Sequence, residues 1–337
     1  MSPSETPQRP LPPEIDSIAR GYWASRVLLT AIELDLFTAL GAGATAAEAA
    51  ARAGTQPAAT ARLLNALVGL ELLAKEGDRF RCTPAAQDFL AAGGPDDSRA
   101  SLRHLANLWE RWGTLTDCLR QGARVEGPQR SDDAAWTEAF IGAMHRGSGL
   151  RAPGVVSALA AEGLLAGRRR LLDLGGGSGA YCHAFLAALP EARATLFDLA
   201  EVVELARGYA EAAGVAGRMD FVAGDLREGR FGQGFDLALV SAICHMLSPA
   251  DNLALLAALH GALAPGGLVV ISDFVLDENR ATPAFASLFG INMLVATGGG
   301  DSYAESDYRT WLAGAGYSQI RRLALAGPAH LMVAQAG

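Results

Sequence analysis

Four glycines occupy five positions in the stretch LLDLGGGSGA, residues 171–180, directly after a run of the residues that form buried strands. Glycine permits tight turns and lets the backbone come close to a ligand. Three aspartates, Asp173, Asp198 and Asp225, stand within or at the ends of successive apolar runs near that loop. A histidine, His245, follows the run FDLALVSAI after one intervening residue, Cys244. Carboxylates of this kind can accept hydroxyls or meet a cation, and an imidazole can take a proton near neutral pH. The residue types therefore point to a bound polar cofactor beside a general base.

The glycine run can be parsed in two ways. Gly175-x-Gly177-x-x-Ala180 fits a dinucleotide fingerprint, with a pyrophosphate on the helix N-terminus. Asp173-x-Gly175-x-Gly177-x-Gly179 fits a loop for S-adenosylmethionine (SAM), which has no phosphate. Asp198 serves either parse, since a carboxylate there can accept both ribose hydroxyls. Two further features favour SAM. Asp173, inside the strand, would repel a pyrophosphate but suits a cationic amino acid tail. Gly224-Asp225 follows the third strand, where a carboxylate can reach an adenine amino group. Read instead as ordinary surface aspartates, the three would meet at one crevice by coincidence. Methyl transfer from a sulfonium to a hydroxyl needs an aligned acceptor that loses its proton. Of six histidines, only His245 stands in the strand-to-helix loop where such a base belongs; the alternative is a histidine with structural hydrogen bonds alone.

These residues require a parallel sheet to bring them together. From about residue 168 the strand-like runs RRRLLDLGG, ATLFDL, MDFVAGD, FDLALVSAI and LVVISDFVL alternate with helical stretches. That alternation predicts an α/β, Rossmann-like, doubly wound and mainly parallel sheet, with ligands beyond the carboxyl ends of the strands. The helix PADNLALLAALHGALA has Ser248 as N-cap and Pro249 at its first position, and is expected to end at Pro265-Gly266-Gly267. A C-terminal antiparallel hairpin is expected around Gly327-Pro328.

The front half has helical patterns. IARGYWASRVLLTAIELDLFTAL predicts two consecutive buried helices. Thr45 and Glu48 form a capping box ahead of a helix that Gly54 can end. Pro57 opens another helix, expected to reach Leu72, and LLAKEGDRFRCT predicts a hairpin turning at Glu76-Gly77-Asp78. This is the order of a winged helix. The helix that would enter a DNA groove carries only Arg62 and Glu71, with no net charge for phosphates. A dimerisation domain is the better expectation, and nucleic acid is not an expected partner. The organisation predicted is a disordered tail at 1–13, a winged-helix-like domain at 14–120, linking helices at 121–165 and a SAM-binding domain at 166–337.

Bulk properties agree with a globular protein and name no function. The 337 residues are 50% hydrophobic and 19% charged, with a formal net charge of −8. No run of about 18 uncharged apolar residues is present, so no membrane association is expected. Four cysteines without metal-site spacing predict free thiols, no metal and a cytoplasmic setting.

Across residues 14–335 the chain resembles the class I SAM-dependent O-methyltransferases. It is closest to the dimeric small-molecule type that includes caffeate, acetylserotonin and bacterial natural-product enzymes. The resemblance rests on LDLGGGSG, LFDLAEVV, GDL, ICHMLSP, ALAPGGLVVISDF and MLVATGGGDSY. It implies that Gly175, Gly177 and Gly179 line SAM, Asp198 and Leu199 hold its ribose, and Asp225 and Leu226 its adenine. Asp173, Gly224 and Ser241 complete the cofactor side, and S-adenosylhomocysteine is the product. His245 matches the family's base. Asp273 and Asp301 stand where that family has two glutamates, one methylene longer; Asp273 would orient His245, and Asp301 would serve the base or the acceptor unless it is only a solvated turn residue.

Met246-Leu247 replaces an Asp-Trp pair, and Ser241 a frequent lysine, which turns the expectation from phenylpropanoids to a bacterial branch. Met144, His145, Phe289, Asn292 and Met293 are the expected acceptor-lining residues, although core packing would explain the same residue types. Trp23 is expected to reach the partner subunit's pocket in a homodimer. The function implied is methylation of a phenolic or enolic hydroxyl on a small aromatic or polyketide-like metabolite. C- or N-methylation, or a hydroxylase, decarboxylase or cyclase on the same fold, is the alternative; a SAM-responsive DNA-binding regulator is a third.

Overall fold

The structure is a computed structural model that describes residues 10–125 and 134–337. The tail expected at 1–13 and the linkers expected at 121–165 therefore lie partly outside the described residues. The chain divides into two compact units, Met1–Asn107 and Leu108–Gly337.

The first unit holds α1 (Pro13–Arg20), α2 (Tyr22–Glu33), α3 (Leu36–Leu40), β1 (Ala44–Thr45), α4 (Ala46–Ala53), α5 (Pro57–Gly69), β2 (Leu73–Glu76), β3 (Arg79–Cys82) and α6 (Pro84–Leu90). Both halves of the Thr45–Glu48 capping box form, and Gly54 ends α4 in the left-handed region at φ 66°. The hairpin β2–β3 pairs as expected and adds β1 as a third strand. Leu36, Phe37, Leu40, Leu64, Leu67 and Phe80 form its core. Two expectations change. The segment read as two buried helices forms three, because the chain breaks at Gly21 and again at Asp35, which adopts φ 51°. Of these, α1 buries nothing, and Ile18 is 83% exposed. The helix expected to reach Leu72 stops at Gly69, where Glu71 at φ 57° turns the chain into β2.

Helix α7 (Arg99–Gly113) spans the division between units; α8 (Leu115–Gln121) and α9 (Ala134–Ala161) follow. The second unit then alternates β4 (Arg170–Leu174), α10 (Ala180–Ala188), β5 (Arg193–Asp198), α11 (Ala200–Ala212), β6 (Met219–Ala223), β7 (Phe235–Ser241), α12 (Pro249–Ala262) and β8 (Leu263–Asp273). It closes with α13 (Ala284–Ala296), α14 (Glu305–Gly314), β9 (Tyr317–Ala324) and β10 (His330–Ala336). The seven-stranded sheet has the order β6-β5-β4-β7-β8-β10-β9. Strands β4 to β8 run parallel, and β10 pairs antiparallel with both β8 and β9. Strand order reverses between β4 and β7, so the crevice for a ligand opens there.

Alternation along each strand feeds two cores. Leu171, Leu196, Leu237, Leu239 and Val270 pack with α9, α10 and α11 on one face. Leu172, Leu174, Ala238, Val240 and Ile271 pack with α12 and α14 on the other. Both faces are thus buried, which is why these strands read as continuous apolar runs. One boundary differs from expectation. Helix α12 ends at Ala262, and Pro265-Gly266-Gly267 lies within β8 at a register shift that pairs Phe235 with Leu263 but Leu237 with Leu268. Proline lacks an N–H for a ladder, so it sits where the pairing is already irregular.

Candidate active site

The glycine loop folds at the carboxyl end of β4. Gly175, Gly177 and Gly179 all have positive φ, at 63°, 55° and 79°. A Cβ at Gly175 would stand 2.3 Å from Ile243 Cδ1, whereas one at Gly177 would meet nothing within 4 Å. Gly175 is thus closed over by the neighbouring loop, and Gly177 faces open space.

The three aspartates differ in burial and partners. Asp173 is buried under the loop and accepts a hydrogen bond from the Cys182 thiol at 3.3 Å. Burial pushes its carboxyl up to about 7, and the thiol opposes that shift. Asp198 accepts from Gly177 N through Oδ2 and from Leu199 N through Oδ1, each at 2.8 Å. Burial raises its carboxyl as well, against these two donors. Asp225 caps a short turn by accepting from Arg227 N at 2.9 Å. Beside it, a Cβ at Gly224 would fall 2.5 Å from Phe197 Cζ, so that backbone lies directly on the ring. Leu226 reaches toward Gly175, and Leu199 is 48% exposed. These residues fit SAM, because a buried carboxyl partnered by Cys182 and by no cation among the described residues suits an ammonium, and each oxygen of Asp198 keeps a second lone pair for a hydroxyl.

At the end of β7, Ser241 pairs in register with Ser272 of β8. Ala242 then takes φ 57° while donating its N–H to Ser272 O at 2.9 Å. An alanine seldom adopts that conformation. It sends Ile243 over Gly175 and starts the 3-10 turn Cys244–Met246, which carries His245.

His245 is buried, and its Nδ1 lies 2.6 Å from Asp273 Oδ1 at the end of β8. Its backbone N–H donates to Asp273 Oδ2 at 3.1 Å, and Phe274 N donates to Asp273 Oδ1 at 2.9 Å. An ionised carboxylate only accepts, so Nδ1 is the protonated ring nitrogen and Nε2 keeps its lone pair. The edge of Phe289 packs on the imidazole at 4.8 Å between centroids, and Phe274 and Phe285 complete an aromatic cluster.

The remaining expected residues are dispersed around this centre. Asp301 is exposed and accepts from Ser302 N at 2.7 Å; no hydrogen bond joins it to His245 among the described residues. A Cβ at Gly290, next to Phe289, would come within 2.8 Å of Asp301 Oδ1. Asn292 accepts from Trp112 Nε1 at 2.9 Å, and Met293 is buried. Met144 is half-buried on α9. His145 lies against the glycine loop, its Nδ1 2.8 Å from Ser178 Oγ and its ring stacked on Tyr209 at 4.2 Å. Burial lowers the His145 pKa. Trp23 is exposed on α2.

Sequence reasoning missed Ser178, Tyr209, Ile243, Phe274, Phe285 and Trp112. Only Phe285 carried a usable signal, since it stands four residues before Phe289 on one helix.

A family model described as an O-methyltransferase domain matches residues 124–318, and one described as an O-methyltransferase dimerisation domain matches residues 17–92. A 3-hydroxy-5-methyl-1-naphthoate 3-O-methyltransferase of Streptomyces sahachiroi is 34% identical over 96% of this chain and 94% of its own. The tetracenomycin polyketide synthesis 8-O-methyl transferase TcmO of Streptomyces glaucescens is 32% identical over 96% of each. The solved structure of PigF with SAH is similar at a TM-score of 0.87 and 27% identity, covering 96% of this chain and all of that one.

Proposed function

Because the chain belongs to the family of SAM-dependent O-methyltransferases that carry their own dimerisation domain, we propose that it methylates a phenolic or enolic hydroxyl of a small aromatic or polyketide-like metabolite, with His245 as general base. The observation that carries this reading is the buried His245–Asp273 pair, 2.6 Å apart and edged by Phe289. The relatives named for a naphthoate and for a tetracenomycin step support an aromatic acceptor.

Asp273 holds Nδ1–H, so Nε2 is free to take the acceptor's proton and leave its oxygen anionic. The same carboxylate balances the imidazolium that results. Phe274, Phe285 and Phe289 suit a flat ring through edge and stacking contacts. On the cofactor side, Asp173 would meet the ammonium, Asp198 and Leu199 the ribose, and Gly224, Asp225 and Leu226 the adenine. Gly175, Gly177 and Gly179 keep the backbone low enough for that approach, with Ser241 at the adjoining strand end. When bound, SAM supplies an electrophilic methyl group on a good leaving group. Asp301, beside Gly290, would contact the acceptor rather than the base. Two copies would pair through the first unit, whose exposed α1 and α2 residues need cover.

The test is transfer of a labelled methyl from SAM to a panel of hydroxynaphthoates and hydroxybenzoates, with products read by mass. Replacing His245 by alanine should lower turnover by about 10²-fold or more while calorimetric SAM affinity stays near wild type. Unchanged turnover would remove His245 from the mechanism.

A further inference from the structure

The turn that carries His245 is tied to α12 by a side chain that no part of the proposed chemistry uses. Asn252 is fully buried, and its Nδ2 donates to Cys244 O at 2.9 Å and to Leu247 O at 3.3 Å. Those two carbonyls bracket the 3-10 turn. Among the described residues, Asn252 Oδ1 has no hydrogen-bond partner. That asymmetry fixes the amide, because the flipped form would set its oxygen against two carbonyl oxygens. A buried amide with one end unpaired costs stability that an apolar side chain would not. Its contribution is therefore better sought in where it holds the turn.

Three further contacts converge on the same segment. Tyr303 Oη donates to Leu247 O at 2.5 Å. Asp273 takes the backbone N–H and the ring of His245 from the β8 side. Gly300 packs its backbone on the His245 carbonyl, where a Cβ would come within 2.2 Å. Asn252 ties both ends of the turn to α12, beside the turn's own bond from Leu247 N to Cys244 O at 3.2 Å.

We propose that Asn252 is a positioning residue for His245: by holding Cys244 O and Leu247 O, it sets the imidazole on Asp273 in the tautomer that leaves Nε2 as the proton acceptor. This rests on His245 being the base. Without the two donors, the turn is free to shift on its strained Ala242 pivot, and the Nδ1 contact loosens before the cofactor site is affected.

The test uses Asn252→Leu, which keeps a buried helical side chain but removes both donors, beside Asn252→Ala. Each is compared with wild type and His245→Ala by SAM calorimetry, by turnover of the fastest hydroxyaromatic acid in the panel above, and by nitrogen NMR of histidine-labelled protein. The NMR needs no acceptor, and the His245 signals are assigned by their loss in His245→Ala. SAM affinity within about 2-fold of wild type, kcat lowered about 10-fold with little change in KM, and His245 signals averaged between tautomers are expected. Should Asn252→Ala fail to fold, Asn252→Leu carries the comparison. A folded Asn252 variant with wild-type kcat and an unaltered tautomer overturns the positioning role, while inactivity of His245→Ala leaves the base in place. Wild-type turnover in His245→Ala overturns the base and this role together.

Discussion

Burial separates Asp173 from the other two crevice carboxylates. Its pKa, lifted from 3.8 to about 7 by desolvation, means that near neutrality the free protein holds a proton there part of the time. The folded value lies above the unfolded one, so this group's stabilising contribution is complete below the unfolded pKa and is lost as pH rises through about 7. A cationic ligand needs the ionised form. SAM affinity should therefore rise between about pH 6 and about pH 8, and Asp173→Asn should both weaken binding and flatten that rise. Burial lowers His145 and His183 from 6.5, and the Asp173→Asn comparison separates the carboxyl's contribution from theirs. Titration calorimetry giving the same slope for wild type and Asp173→Asn would exclude the carboxyl as the ammonium's partner. The His245–Asp273 pair was legible because His245 closely follows one apolar strand run and Asp273 ends another, and parallel strands share one edge. Asn252 was not. Between Asp251 and Leu253 it reads as one more polar residue on a helix, and only packing reveals that it turns inward.

Loops, more than strands, decide how the elements meet. The segment joining α13 to α14 presses Gly300 against the His245 carbonyl, and Gly300 N donates to Thr297 Oγ1 at 2.8 Å. A methyl group at Gly300 would fall 2.2 Å from that carbonyl oxygen and 2.9 Å from Met246 C, both backbone atoms that cannot rotate away. Gly300→Ala should thus cost about 1–3 kcal/mol of stability and displace the turn. Turnover should fall about 10-fold or more with SAM affinity kept, as read by thermal unfolding and kinetics. Wild-type kinetics would show that the loop yields instead. Element types were readable from period and caps, as at Thr45–Glu48 and Ser248. Apart from the break at Gly21, the boundaries that changed do so where a residue in an uncommon conformation or an irregular ladder overrode the local pattern. Asp35 and Glu71 took positive φ, and the α12–β8 junction absorbed Pro265 into a bulged strand.

For the molecule as a whole, the first unit exposes apolar side chains near its N-terminal end. Leu11, Ile15, Ile18, Tyr22 and Trp23 are all exposed along the N-terminal segment and the first two helices. An amphipathic face of this kind is stable in water when something covers it, and the family's dimerisation domain spans most of it. Replacing Ile18 and Trp23 together by glutamate should convert a dimer into monomers under light scattering at equal concentration; a monomeric wild type would refute this. No helix among the described residues is long and apolar enough to cross a membrane. The antiparallel end of the sheet bears on biogenesis. β10 reaches its place between β8 and β9 after both have been synthesised, and it pairs His330 with Asp273. While the ribosome is still elongating, β8 keeps a raw hydrogen-bonding edge beside the acid that grips the imidazole. The nascent chain has to be shielded from sticking to its neighbours until that late insertion closes the gap.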